Sequence, residues 1–469
     1  MINTMSDSEY VASLMERARK AQKIAEGFTQ EQVLELSQAI GWTTVLNAEA
    51  WAKLNYEETG LGNWESKYGT LLNRVKGVLR DHVTAKSVGI CERDDAHGLI
   101  KIAKPVGVVG AICPLTGAAV TPILKAMNGI MGRNAVVFSA HPHGYKTTST
   151  VVEAMREVLK KYDVPEDLLI CSERPTHSAS AEIMKQCDLI VATGSSSLVK
   201  AAYSSGTPAY GVGTGNVVGV IDETVDILDS AAKIVSSKTN DYAIGCSTEN
   251  SIVVQTSIYD ELMKALIDQK SHLCTPEEKA KIQSILWIPG TTTLNNNVIC
   301  RSAYEIAQAA GIDLPEDTTV LLVEETGYGP EYPFSGDKLS PVLTVYRYEE
   351  FEDAIQLTLH IQEYKGAGHS VYIYSKNEDR IMEFAHRTHT SRVQVNQCQS
   401  RSNAGAWNNG IPFSTSMSCG TWGGNITTEP VNWKHYINIT WVHRAVDTLK
   451  EPTDEYCFGS AMTDPRLNG

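Results

Sequence analysis

The chain contains no C-x-x-C pair. Its ten cysteines (91, 113, 171, 187, 246, 274, 300, 398, 419 and 457) stand singly, which excludes a disulfide framework and a thiolate-bound zinc cluster, predicts no metal site, and points to a reducing, cytoplasmic compartment. Long apolar runs are missing as well. Nothing approaches the roughly 18 residues that span a bilayer, and Met1 to Lys20 has no basic segment leading into an apolar one, so neither a membrane partner nor a leader is expected. Positive charge is scarce: 41 Lys plus Arg face 55 Asp plus Glu, a net charge of -14 that disfavours nucleic acid as a partner. Repeats and low-complexity tracts are absent too. What is present is ordinary globular material, 469 residues with 42% hydrophobic and 20% charged side chains, enough for two or three domains.

Apolar positions recur at helical spacing over 6–40 and 45–84, with Leu14, Ala18, Ala21 and Ile24 on one face and Leu71, Val75, Val78 and Leu79 on another. From Lys86 the pattern changes. Two extended segments joined by Asp-Asp-Ala-His-Gly predict a hairpin, followed by a buried strand from Val106 to Ile112. Strands and helices then alternate through "PILKAMNGIMGR", "NAVVFSA", "TTSTVVEAMREVLKKY", "DLLICS", "SAEIMKQC", "DLIVAT", "SSLVKAAYSS" and "GNVVGVID", the pattern of a parallel, doubly wound α/β sheet. A second α/β series starts near Ser237, and "HYINITWVHRAV" adds a tail strand.

Two glycine-containing stretches compete as a dinucleotide turn. "GVGTGN" (211–216) precedes a strand instead of opening a helix, so it has the wrong order for a phosphate cradle. Thr193-Gly194-Ser195 has the right order, lying between a strand and a helix that begins at Ser196. In "TNDYAIGCSTENSIVV" (239–254), Cys246 follows Gly245 and precedes Ser247, Thr248 and Glu249. A lone cysteine is commonly a small core residue. A polar loop rich in amide donors also suits a thiol that attacks an aldehyde, passes hydride to a nicotinamide and holds the acyl group as a thioester.

Six motifs in order carry a family resemblance: "KPVGVVGAICP" (104–114), "ATGSSSLVKAAYSSGTPAYGVGTGN" (192–216), "CSTENSIVV" (246–254), "FSGDKLSPVL" (334–343), "GAGHS" (366–370) and "SCGTWGGN" (418–425). Over nearly its full length the chain resembles the coenzyme A-acylating branch of the aldehyde dehydrogenase superfamily. The resemblance implies Cys246 as nucleophile, His369 as the branch's active-site histidine, NAD+ or NADP+ as cofactor at Thr193, Gly194 and Ser195, and coenzyme A as co-substrate. Asp337 stands where the superfamily has a ribose-binding glutamate, and Ser139 and His141 lie in the expected adenosine-side loop (139–147). The hydrolytic branch's glutamate is missing, since the equivalent stretch reads "YGVGTGN". Gly117 replaces the usual oxyanion asparagine, leaving Thr116 or the Cys246 amide to serve. For an anionic short-chain aldehyde the loop 397–410 offers Arg401, Asn403 and Asn409, and His360 is a further candidate. Gly117 and Asp337 leave open a catalytically silent binding relative, against which the intact Cys246 weighs.

The implied architecture has two doubly wound α/β domains and a β-hairpin oligomerisation element. Residues 1–85 and 105–235 form the cofactor domain, 236–430 the catalytic domain, and 86–104 with 431–469 the hairpin and tail strand. Edge strands at both places predict a homodimer or homotetramer.

Overall fold

The computed structural model describes residues 5–467. It opens with three helices, Asp7–Ala25 (α1), Gln30–Thr59 (α2) and Trp64–Val83 (α3), where the periodicity marks two helical tracts. The breaks are chemical: the side chains of Ser6, Thr29 and Asn63 cap the three N-termini by accepting from Glu9, Gln32 and Ser66 amides, and Gly60 ends α2 at a φ of 64°. Ile24 is exposed, because the buried stripe of α1 runs from Ala18 through Ala21 to Ala25.

Strands Gly89–Asp94 (β1) and Leu99–Pro105 (β2) form the expected antiparallel hairpin. The first α/β series follows: Val108–Ile112 (β3), Val120–Met131 (α4), Ala135–Ser139 (β4), Tyr145–Lys161 (α5), Leu169–Cys171 (β5), His177–Gln186 (α6), Leu189–Thr193 (β6), Ser196–Tyr203 (α7) and Ala209–Val212 (β7). These strands make a parallel sheet in the order β5-β4-β3-β6-β7. Strands β3 and β4 are buried along their whole length, which is why they read as unbroken apolar runs. The order reverses between β3 and β6, so a crevice opens beyond their carboxyl ends, the place where such sheets take ligands.

The second series comprises Val217–Ile221 (β8), Ile227–Lys238 (α8), Glu249–Gln255 (β9), Tyr259–Asp268 (α9), His272–Leu273 (β10), Pro276–Leu286 (α10), Ala303–Ala309 (α11), Leu321–Glu324 (β11), Val342–Tyr348 (β12), Phe351–Tyr364 (α12), Val371–Tyr374 (β13), Glu378–Arg387 (α13), Val393–Val395 (β14) and Gln399–Ser402 (α14). Its sheet has the order β10-β11-β12-β9-β8-β13-β14.

Two expected domain limits move. Strand β8 pairs with β9 and β13 of the second sheet, so the chain changes sheets at 213–216, not at 235. Ala404, Phe413, Met417, Val431 and Tyr436 pack into the first core, so the end of the expected catalytic segment completes the cofactor domain. A side chain on Gly77 of α3 would collide with the Phe413 ring; its absence is what lets this return segment dock. The tail strand Ile437–His443 (β15) pairs antiparallel with β2, giving a three-stranded sheet β1-β2-β15. The short helix Asp454–Phe458 (α15) follows. No helix among the described residues is long and apolar enough to cross a membrane.

Phe413→Ala should therefore lower stability by about 3–5 kcal/mol, the usual cost of emptying a core aromatic site. A drop in the thermal unfolding midpoint checks it.

Candidate active site

A cavity of about 550 Å³ lies at the carboxyl ends of β3 and β6 and reaches the second sheet. The thiol of Cys246 is delivered to it by an unusual turn. After α8, Asp241, Tyr242 and Ala243 adopt φ values of 48°, 48° and 60°, a left-handed run that costs non-glycine residues about 1–3 kcal/mol each. Asp241 pins this run to the start of α3. Its carboxylate meets Lys67 Nζ at 2.8 Å, accepts from the Asn63 amide at 2.7 Å, and crowds Gly62, where a side chain would collide with it. The Asp241 amide donates to Ser66 Oγ at 3.2 Å. Gly245 and Cys246 follow directly.

Cys246 Sγ lies 3.2 Å from His369 Nε2. Across the ring, His369 Nδ1 is 2.9 Å from Ser370 Oγ, which accepts from Gln399 Nε2 at 3.1 Å and Asn403 Nδ2 at 3.2 Å. Asn403 also donates to Ser247 Oγ at 3.1 Å. Arg392 Nε fixes the orientation of Asn403 by donating to its Oδ1 at 3.2 Å, since a guanidinium has no acceptor to offer. Arg392 Nη2 donates to the His369 carbonyl at 2.6 Å. Gly215 closes the pair from one side, where a side chain would collide with the Cys246 carbonyl and press on the His369 ring.

Dense packing decides the protonation states. Although partly accessible, the Cys246 thiol is pushed up to about 11 by burial, with Asp337 adding to the rise and Arg392 opposing it. His369 is pushed down to about 3 by burial and by Arg392. The resting pair is thus a neutral thiol beside a neutral imidazole.

Most residues expected at the site do come together. Thr116, Ser139, His141, Thr193, Gly194, Ser195 and Asp337 all line the cavity with Cys246, and His369 reaches it through the thiol. The strand-to-helix turn fits a dinucleotide: it sits at the reversal of strand order, Ser195 caps α7, and Thr193 Oγ1 is braced by Ser416 Oγ at 2.9 Å. Asp337 accepts from Asn250 at 3.0 Å, and burial raises its pKa.

The substrate-loop expectations need correction. Arg401 is exposed and absent from the cavity wall, because α14 turns it outward while directing Asn403 inward. Asn403 is fully buried and orders Ser247 and Ser370. Asn409 braces its own loop, accepting from the amides of Ala406 and Ile411 at 3.2 Å. His360 stacks on Tyr328 at 4.7 Å. At Gly117 a side chain would run into Thr121 Oγ1, so the Thr121 hydroxyl, which lines the cavity, fills the space beside the missing asparagine.

Sequence reading missed Arg74, Thr121 and Arg392. Arg74 had a signal, being a cation on the apolar face of α3 between Leu71 and Val75. Outside the cavity, donor atoms of His272, Cys274 and Glu278 lie within 4.8 Å of one another, and Glu278 there is engaged by the Thr275 amide and His272.

Residues 3–283 match the aldehyde dehydrogenase family. The chain is 43% identical over 460 residues to a sulfoacetaldehyde dehydrogenase of Acholeplasma sp, covering 97% of this chain and 94% of that one. It is 43% identical over 443 residues to a sulfoacetaldehyde dehydrogenase (acylating) of Bilophila wadsworthia, covering 93% and 95%. The crystal structure of an acetylating aldehyde dehydrogenase from Geobacillus thermoglucosidasius superposes with a TM-score of 0.91 at 36% identity, over 95% of this chain and 98% of that one.

Because the folded site keeps the thiol protonated, iodoacetamide labelling of Cys246 in the ligand-free protein should accelerate about tenfold per pH unit from about pH 7 to 10. Mass spectrometry of the Cys246 peptide reads this. A plateau reached near pH 7 would contradict the neutral pair.

Proposed function

Because the chain belongs to the aldehyde dehydrogenase family, we propose that it is a coenzyme A-acylating enzyme that oxidises sulfoacetaldehyde to sulfoacetyl-CoA with NAD+ or NADP+. One observation carries this reading: Cys246 and His369 touch, and the stretch Tyr210–Asn216, whose Gly215 packs against both, contains no carboxylate. The names borne by the similar proteins of Acholeplasma and Bilophila supply the substrate.

The chemistry follows from the protonation states. As Cys246 Sγ forms its bond to the aldehyde carbon, its proton passes to His369 Nε2, which burial keeps neutral and able to accept it. The Cys246 amide, which has no hydrogen-bond partner among the other described residues, serves as the donor to the developing alkoxide. Thr193, Gly194 and Ser195, with Asp337 toward the ribose, would hold the dinucleotide, which when bound would supply the acceptor for the hydride that leaves this carbon as Cys246 becomes a thioester. Once His369 has released the first proton to solvent, the thiol of coenzyme A attacks the acyl carbon while His369 takes its proton, and that proton returns to the Cys246 sulfur as it departs. Without a positioned carboxylate base, water competes poorly for the acyl group.

The sheet β1-β2-β15 supports an oligomer, since its two edge strands expose Ile90, Ile439 and Trp441. Light scattering should return two or four chain masses.

Incubation with sulfoacetaldehyde, coenzyme A and either dinucleotide should give reduced cofactor and sulfoacetyl-CoA in equal amounts. Free sulfoacetate formed without coenzyme A would overturn the acylating reading, and a higher kcat/KM for acetaldehyde would overturn the substrate.

A further inference from the structure

Helix α3 turns Leu71, Val75 and Val78 into the core, and Arg74 shares their buried face. Its guanidinium lines the active-site cavity. Nη1 donates to the carbonyls of Ala404 at 2.6 Å and Gly405 at 3.0 Å, and the planar group lies 5.7 Å from the Phe413 ring. Nε and Nη2 have no protein hydrogen-bond partner among the described residues.

Among the described residues no carboxylate pairs with this cation. Burial alone lowers its pKa, to about 10, so the group stays charged at neutral pH. The second cation of the cavity wall, Lys67, is neutralised by Asp241. Nε and Nη2 are not sealed in protein but open to the cavity, so an anion entering it can reach them. Fixing the backbone at 404–405 uses only one of its three nitrogens, so a purely structural role leaves the others unexplained.

Its position relative to the thiol follows from the chain. Ala404 succeeds Asn403, whose amide holds Ser247, the residue next to Cys246. Arg74 therefore stands one short segment away from the nucleophile, within the same cavity.

We propose that Arg74 binds the anionic end of the aldehyde, a sulfonate or a carboxylate, and so selects charged over neutral substrates; this rests on the aldehyde-oxidising reading given above. Nε and Nη2 form one edge of the guanidinium fork and can meet two oxygens of such a group in parallel. The aldehyde carbon at the other end of a two-carbon substrate is then directed toward Cys246.

The test compares the wild type with Arg74→Gln, which removes the charge and the fork, and with Arg74→Lys. Arg74→Gln should lower the ratio of kcat/KM for sulfoacetaldehyde to kcat/KM for acetaldehyde by about 100-fold, the scale of a lost charged hydrogen bond. Arg74→Lys, which keeps the charge without the fork, should lower it by about tenfold. Equal losses on both aldehydes, or an unchanged ratio in either variant, would overturn the assignment. Titration calorimetry with ethanesulfonate is the second measurement: wild-type protein should bind it and Arg74→Gln should bind at least tenfold more weakly. If the wild type oxidises no aldehyde in the presence of coenzyme A, the functional reading has failed, and the ethanesulfonate comparison still decides Arg74, because equal binding by both proteins overturns it.

Discussion

The buried pair between Lys67 and Asp241 holds the working parts of this molecule in place. Removing a single partner from such a pair leaves an isolated buried charge and costs several kcal/mol, so the contact functions as a latch. It joins the first turn of α3 to a left-handed run that no glycine relieves. One end of the latch carries the helix on which Arg74 sits, and the other carries the peptide leading to Cys246. The spacing between Arg74 and the thiol is thereby set by one ion pair and the two backbone amides, of Asn63 and Asp241, that bond beside it.

The reactive pair is built on a different principle. Burial raises the thiol and depresses the imidazole, so nucleophile and base wait uncharged, and charge separation begins only when a carbonyl is present to receive the sulfur. A thiol held this way is protected from adventitious alkylation and oxidation, both of which need thiolate. Neutrality also suits a histidine that must serve two thiols in turn, since it has to regain an open nitrogen between them. Ser370, Asn403 and Arg392 form the frame that keeps that nitrogen aimed at Sγ.

Much of this was legible in the sequence where the signal was local. The strands β3, β4 and β6 read as apolar runs because parallel strands are covered on both faces, and the alternation with helices fixed the first sheet's series. Cys246, His369 and the 193–195 turn were legible through their motifs. What stayed hidden depends on contacts distant in sequence. Strand β8 looks like one more strand of the first series, and only its pairing with β9 and β13 assigns it to the other sheet. The run Asp241–Ala243 carries no glycine to announce its left-handed backbone. Arg401 stands in a polar loop and Arg74 on an apolar helical face, and only the folded chain shows that the second of them lines the cavity. Thr121 beside Gly117 is invisible until the first turn of α4 is folded over the preceding 3-10 turn.

The strand pairing of β15 with β2 joins residues as far apart as Leu99 and His443, 344 positions along the chain, and the first core is filled out by Phe413, Met417, Val431 and Tyr436. On a ribosome, the amino-terminal half is therefore complete only after residues 437–443 have been made. Until then its hairpin has an open edge and its core an unfilled wall, so the second sheet is free to close first although it is made later. Vectorial, domain-by-domain maturation is denied to this chain, and a nascent polypeptide halted before Phe413 would be a client for chaperones, not half of an enzyme.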